Sequence, residues 1–213
     1  ENASVRRERA LLIGVDDFVT QPSAYPSSTN NVYAMQEMFQ SAATPLEKIM
    51  VPAEPVSSVE QLTELIRRVF GGAEAGDVSY LYISTHGLYD PENGVEPALL
   101  LSDGQTENRL TPKALEAAFD GISGTKVLIL DDSTSAVDTH TDAMIQKAMR
   151  EYIPETTKII IAQRISSVQN ADRILVLDDG RIDAIGTHDE LLKSCEIYRE
   201  VYQSQQKGGN DHE

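Results

Sequence analysis

Cysteine occurs once in the 213 residues, at Cys195, so no intramolecular disulfide can form. That suits a reducing compartment, and we expect a cytoplasmic protein. Cations are scarce: 18 Lys and Arg stand against 34 Asp and Glu, a formal net charge of -16. Binding to a phosphate backbone needs clustered cations, so a nucleic-acid partner is excluded. Long apolar runs are missing too, and none approaches the ~20 residues of a membrane span. The opening stretch "ENASVRRER" is polar, and no secretory signal is expected from it. A phosphate-cradling loop would read G-x-x-x-x-G-K followed by Ser or Thr, and no such run exists. The nearest stretch, "GISGTK" (121–126), has the glycines and the lysine without the spacing.

What is present is ordinary globular composition, 40% apolar and 24% charged, with the acid spread rather than gathered in runs. Short apolar runs alternate with helical patterns. "RALLIGVDD" (9–17), "EKIMVPA" (47–53), "GDVSYLYISTHG" (76–87), "TKVLILDD" and "TTKIIIAQR" read as strands. "STNNVYAMQEMFQSA" is a helix that Ser28 or Thr29 can cap. "SSVEQLTELIRRVFGGA" is the clearest helix, opened by Ser57 or Ser58 before Glu60 and closed by Gly71-Gly72. "EPALLLSDGQ" suggests a hairpin arm. "TPKALEAAFDGI" is a helix with Thr111 as cap and Pro112 in the first turn. Further on, "TDAMIQKAMREYI" is a helix and "SSVQNA" a helical turn. "DRILVLDDGRIDAIG" is a hairpin turning at Asp-Gly. "THDELLKSCEIYREVYQSQQ" is one helix with a Thr187/Glu190 capping box, and Cys195 lies within it.

This alternation predicts an α/β fold, a three-layer α/β/α sandwich around a mostly parallel sheet. The apolar runs at 10–15, 80–83, 127–130, 159–162 and 174–177 are expected to be interior parallel strands. The strand at 126–131 should lie between those at 78–85 and 157–162. We expect residues 1–213 to form a single domain, a monomer, with 208–213 a flexible tail.

Residues 9–131 resemble the caspase-like peptidases, the superfamily of metacaspases and clostripain. The likeness rests on "ALLIGVDDF", "STNNVYAM", "DVSYLYISTHG" and "KVLILD", in that order. In that family the strand ending in His-Gly carries the catalytic histidine, here His86. The nucleophilic cysteine stands two residues past the aspartate closing the next strand, usually in Asp-x-Cys-x-x-Gly. This chain has Ser133 there, and the Gly is replaced within "STSAVD". A hydroxyl is far less acidic than a thiol, and a dyad built for a thiolate does not activate it by default. Where the family often has Asn-Asp, this chain has Asn30-Asn31, which weakens a pocket for basic residues.

Residues 126–207 resemble the C-terminal end of an ATP-binding cassette domain from an exporter. "KVLILDD" stands as Walker B and "STSAVD" as D-loop, and "KIIIAQRISSVQNADRILVLDDGRIDAIGTHDELL" covers the switch segment and the hairpin behind it. By that resemblance Asp131 would help hold Mg²⁺. Asp132 stands where a water-polarising glutamate is usual, and Gln163 where the switch histidine is usual. The signature "LSGGQ" is missing along with the phosphate loop, so ATP and Mg²⁺ are implied only if the cassette reading holds. Otherwise we expect no cofactor, no metal and no identifiable partner.

The strand at 126–131 belongs to both resemblances. The sequence reads as a hybrid, recombined or engineered, that joins a front part (1–131) to a back part (132–207) at that strand. Its first functional reading is a protein without an intact catalytic site. The alternatives are a residual hydrolase using His86 and Ser133, and a nucleotide-binding module.

Overall fold

The continuous apolar runs of the front part become strands buried on both faces. A computed structural model describes residues 6–20, 27–131 and 139–208. The chain divides into two compact units, Glu1–Ile161 and Ala162–Glu213.

In the first unit the elements run β1 (Glu8–Gly14), α1 (Ser27–Gln40), β2 (Lys48–Met50), α2 (Val59–Phe70), β3 (Val78–Ser84), β4 (Gly87–Asp90), β5 (Val95–Ser102), β6 (Glu107–Leu110), α3 (Pro112–Ala118), β7 (Thr125–Asp131), α4 (Thr139–Tyr152) and β8 (Thr157–Ile161). Five strands form one sheet in the order β2-β1-β3-β7-β8, with every pairing parallel. β7 thus lies between β3 and β8. β4, β5 and β6 form a separate antiparallel sheet.

Side-chain alternation sorts the five-stranded sheet into two faces. Leu11, Ile13, Leu81, Ile83 and Leu128 pack with Leu62, Ile66 and Phe70 of α2, Leu115 of α3, and Ile145 and Met149 of α4. Ala10, Leu12, Tyr82, Val127 and Ile129 pack with Val32 and Phe39 of α1. Helices therefore cover both faces, and the fold is the three-layer α/β/α arrangement.

The edges depart from expectation. The run at 159–162 is an edge strand rather than an interior one, with Ile159 46% and Ile161 42% exposed. Ile159 is in register with Ile129, whose face is the one covered by α1. That helix packs on β1 and β3, and β3 lies two strands from β8.

Local chemistry sets the helix ends. Ser58 caps α2, and the side chain that closes its capping box is Gln61 rather than Glu60. Thr111 caps α3, with Pro112 in its first turn. α1 is different. At its start the Ser28 and Thr29 backbone N–H groups donate to the Asp16 carboxylate at 2.8 and 3.0 Å. The cap arrives from 12 residues upstream.

The second unit contains α5 (Ile165–Val168), β9 (Ile174–Asp178), β10 (Arg181–Gly186), α6 (His188–Ser194) and α7 (Glu196–Gly208). β9 and β10 form a two-stranded antiparallel sheet, so the run at 174–177 is not an interior parallel strand. The turn is Asp179-Gly180 with φ of 48° and 72°, the pair of positive angles that Asp-Gly favours. The helix expected over 187–206 is broken at Cys195, which takes extended angles of φ -111° and ψ 117°. Ile165, Ile174, Leu191, Cys195 and Tyr198 form this unit's own small core. Gly208, expected to open a tail, ends α7; residues 209–213 lie outside the described residues. Among the described residues no helix is long and apolar enough to cross a membrane.

Candidate functional site

Parallel strands deliver their chain ends to one edge of the sheet, where open α/β sheets place ligands. At this edge β1 ends in Gly14, β3 runs on into Ser84-Thr85-His86, and β7 ends in Asp131. The register pairs Ser84 with both Gly14 and Asp131. The Val15 N–H donates to the Ser84 carbonyl at 3.0 Å and prolongs the β1–β3 pairing toward His86. Gly14 is required by α1: a Cβ there would sit 2.9 Å from the Ser28 carbonyl oxygen.

His86 is held on both sides. The Leu100 N–H donates to the His86 carbonyl at 2.9 Å, and the Thr85 hydroxyl donates to the Leu100 carbonyl at 2.6 Å. Its ring lies flat against Phe18, with centroids 4.2 Å apart and planes 22° apart. Phe18 is 8% exposed and His86 9%. The loop that carries Phe18 is clamped by Glu107 of β6. That carboxylate accepts from Val19 N–H (2.9 Å), Thr20 N–H (3.3 Å) and the Thr20 hydroxyl (2.6 Å). Immediately after His86, Thr141 and Ile145 of α4 sit over Gly87.

Asp131 is engaged by the Tyr82 hydroxyl, which donates to its Oδ2. The phenol is pushed well above its ordinary range, first by burial and then by this bond to a carboxylate. Asp132 and Ser133 lie outside the described residues. Gln163 belongs to the second unit, where it is exposed and its carbonyl accepts from Gln205 Nε2 at 2.9 Å. Cys195 is buried in the second unit as well. Its thiol donates to Asp183 at 3.3 Å, and its sulfur accepts from the Tyr198 N–H at 3.4 Å. Among the described residues no group of three or more His, Cys, Asp or Glu could hold a metal ion.

Sequence reasoning found His86 and Asp131 but missed Phe18, Tyr82 and Glu107. Phe18 stands four residues past the end of β1, and nothing in the local pattern points it at residue 86. The sole signal for Tyr82 was its place in a strand adjoining β7.

A nearby cleft of about 180 Å³ opens beside the ends of β1 and β2, with Gly14, Thr29, Tyr33 and Pro52 in its wall. His86 is not among the residues lining that cleft.

The family model of the CHAT domain, a caspase-like peptidase family, matches residues 1–152. The chain belongs to that family. The match runs past residue 131, where the front resemblance was expected to stop. Curated relatives match as transporters. The ABC-type transporter fsqE of Aspergillus fumigatus is 34% identical over 80% of this chain and 13% of its own length. The uncharacterized ABC transporter ATP-binding protein YknU of Bacillus subtilis is 34% identical over 88% of this chain and 29% of its own. An ATP-dependent lipid A-core flippase of Photobacterium profundum is 40% identical over 54% and 18%. The chain thus spans less than a third of the length of these relatives. A solved bacterial Atm1-family ABC exporter with ATP bound is 39% identical over 37% of this chain and 14% of its own. Its TM-score of 0.35 carries no structural argument.

Proposed function

We propose that this protein is a recombined hybrid without an intact catalytic site: a caspase-like front joined through β7 to a back part like the end of an ABC cassette. The observation that carries the reading is the burial of His86 beneath the Phe18 ring. A histidine that moves protons at a scissile bond must offer a ring nitrogen to substrate and nucleophile. Here less than a tenth of the residue is exposed. The sequence adds Ser133 where the family has its thiol. Support for a shared strand comes from β8, which pairs with β7 and so extends the sheet with a segment that resembles the cassette. The single buried thiol fits a reducing, cytoplasmic setting.

The transporter relatives imply Mg-ATP for the back part, and the residues present do not fit it. Asp131 accepts from the buried Tyr82 hydroxyl at Oδ2, a bond that a carboxylate can keep while its other oxygen faces an ion, so the misfit lies in the nucleotide's seat. No phosphate loop exists in the sequence to hold the nucleotide beside it.

The test uses the whole chain. Fluorogenic peptides with Arg, Lys or Asp before the scissile bond should show no turnover. Cleavage that disappears in His86→Ala overturns the reading. Mg-ATP should give no saturable heat and no rise in melting temperature, although a ligand at a hundred times its Kd stabilises by about 2.7 kcal/mol. Saturable binding abolished by Asp131→Ala overturns it from the other side.

A further inference from the structure

Residues 15–20, just past β1, are tied down one after another. The Val15 N–H donates to the Ser84 carbonyl at the end of β3. The Asp16 carboxylate accepts from the first turn of α1. Asp17 packs against the turn between β5 and β6, where Gly104 takes φ of 81° and a Cβ on it would sit 3.1 Å from the Asp17 Cβ. Phe18 stacks on His86. Val19 and Thr20 donate to the Glu107 carboxylate on β6.

One hairpin therefore holds both members of the stack. β5 grips the histidine: its Leu100 N–H donates to the His86 carbonyl, and its Leu100 carbonyl accepts from Thr85. β6, paired to β5 with Glu107 opposite Ser102, grips the phenylalanine's segment. The two grips differ in kind. Those on His86 and Thr85 end on the main chain of Leu100, which is fully buried. The grip on Val19 and Thr20 is three hydrogen bonds to a single half-buried carboxylate, all of them open to water, and Val19 itself is 53% exposed. Water can replace such bonds at small net cost, so local opening is drawn from this side. Val15 is buried and Asp16 caps a helix, so the base of the segment stays and the movable part is 17–20.

We propose that residues 15–20 are a strap over His86 and that Glu107 is its latch, so that the imidazole is uncovered when the carboxylate lets go of Val19 and Thr20. The inference rests on the burial of His86 that carries the functional reading above, and it makes that burial conditional. Glu107 touches neither ring in this scheme; it acts through Phe18. The closed state is the one described here, and the open state keeps the sheet, α1 and the β5–β6 hairpin in place. Exposure of His86 then follows the population of the open strap, because an opening that recloses quickly is sampled at equilibrium.

Diethyl pyrocarbonate acylates accessible imidazoles, and its rate at each of the four histidines of the full chain can be followed by peptide mass mapping. His140, which is exposed, serves as the internal reference. In the parent, His86 should react far more slowly than His140. Glu107→Ala should speed His86 about tenfold with His140 unchanged, the effect of losing hydrogen bonds to a charged acceptor at a wet site. Glu107→Gln keeps one acceptor and should fall between the two. Phe18→Ala should speed His86 at least as much, and adding Glu107→Ala to it should bring little further rise, since the latch acts only through the ring. Thr20→Val, which removes the 2.6 Å bond alone, gives a smaller rise and replaces Glu107→Ala if circular dichroism shows that variant to be unfolded. A parental His86 rate in the Glu107 and Thr20 variants overturns the proposal. So does a parental rate in Phe18→Ala, or a double variant in which the two effects simply multiply. No peptide or nucleotide enters this measurement, so cleavage by the parent would sink the functional reading and leave the strap to be judged by these rates.

Discussion

Replacing Tyr82 by Phe removes one oxygen from the middle of the sheet and leaves the ring in place. The Tyr82 side chain is fully buried, and its hydroxyl donates to Asp131, 49 residues along the chain on the neighbouring strand. A hydrogen bond to a charged acceptor contributes about 1.5–3 kcal/mol. Asp131 is half-buried and has other interactions, so the lower part of that range applies, about 2 kcal/mol. For a unit of this size each kcal/mol moves the melting temperature by about 2–4 °C, so Tyr82→Phe should lower it by about 4–8 °C. Urea denaturation of Tyr82→Phe, Asp131→Ala and the double variant isolates the pair. A coupling of about 1.5 kcal/mol is expected, since the remaining acceptors of Asp131 are partly solvated. A second readout comes from the phenol itself. One of the eight tyrosines should fail to ionise in alkali until the protein unfolds, and Tyr82→Phe should remove that one from the titration. If Tyr82→Phe costs less than about 0.5 kcal/mol, or if the two single variants simply add, the Tyr82 hydroxyl is not holding Asp131.

Gly87→Ala would place a Cβ on top of the Ile145 Cδ1. Overpacking of this kind costs about 1–3 kcal/mol; Ile145→Val should recover part of the loss, and an unchanged urea midpoint for Gly87→Ala would refute the close packing of α4 over β4. Acid should act through Asp77, whose carboxyl accepts from the backbone N–H of Glu74 and then from Arg7, which hold its pKa down at about 2, below the ordinary 3.8. A depressed folded pKa means that this group's stabilisation is complete above the ordinary value and is lost as pH falls through about 2. Unfolding midpoints followed from neutral pH down to this range should fall less steeply in Asp77→Asn than in the parent, and parallel curves would contradict the assignment.

Much of the secondary structure follows from residues a few positions apart. Ser58 with Gln61, Thr111 with Pro112, and Thr187 with Glu190 fix helix starts because an orphan N–H is satisfied within one turn. Asp179-Gly180 fixes its hairpin because those residue types tolerate positive φ. The runs in β1, β3 and β7 are apolar at every position, and only a strand covered on both faces can hide such a run. The same rule misplaced 159–162 and 174–177, because composition reports what would be stable buried and not whether a covering layer exists. α1 packs on β1 and β3, two strands from β8, and among the described residues β9 pairs with β10 alone, so isoleucines and leucines of equal apolarity end in water. The site divides in the same way. His86 and Asp131 stand at strand ends that the sequence announces. Phe18 on His86, Tyr82 on Asp131, Asp16 on α1 and Glu107 on the Phe18 loop are contacts between residues 12 to 88 positions apart, or on separate strands. Local preference sets the elements through energies between near neighbours. Which side chains then meet across the sheet edge depends on register and layer packing, and tertiary structure alone decides those.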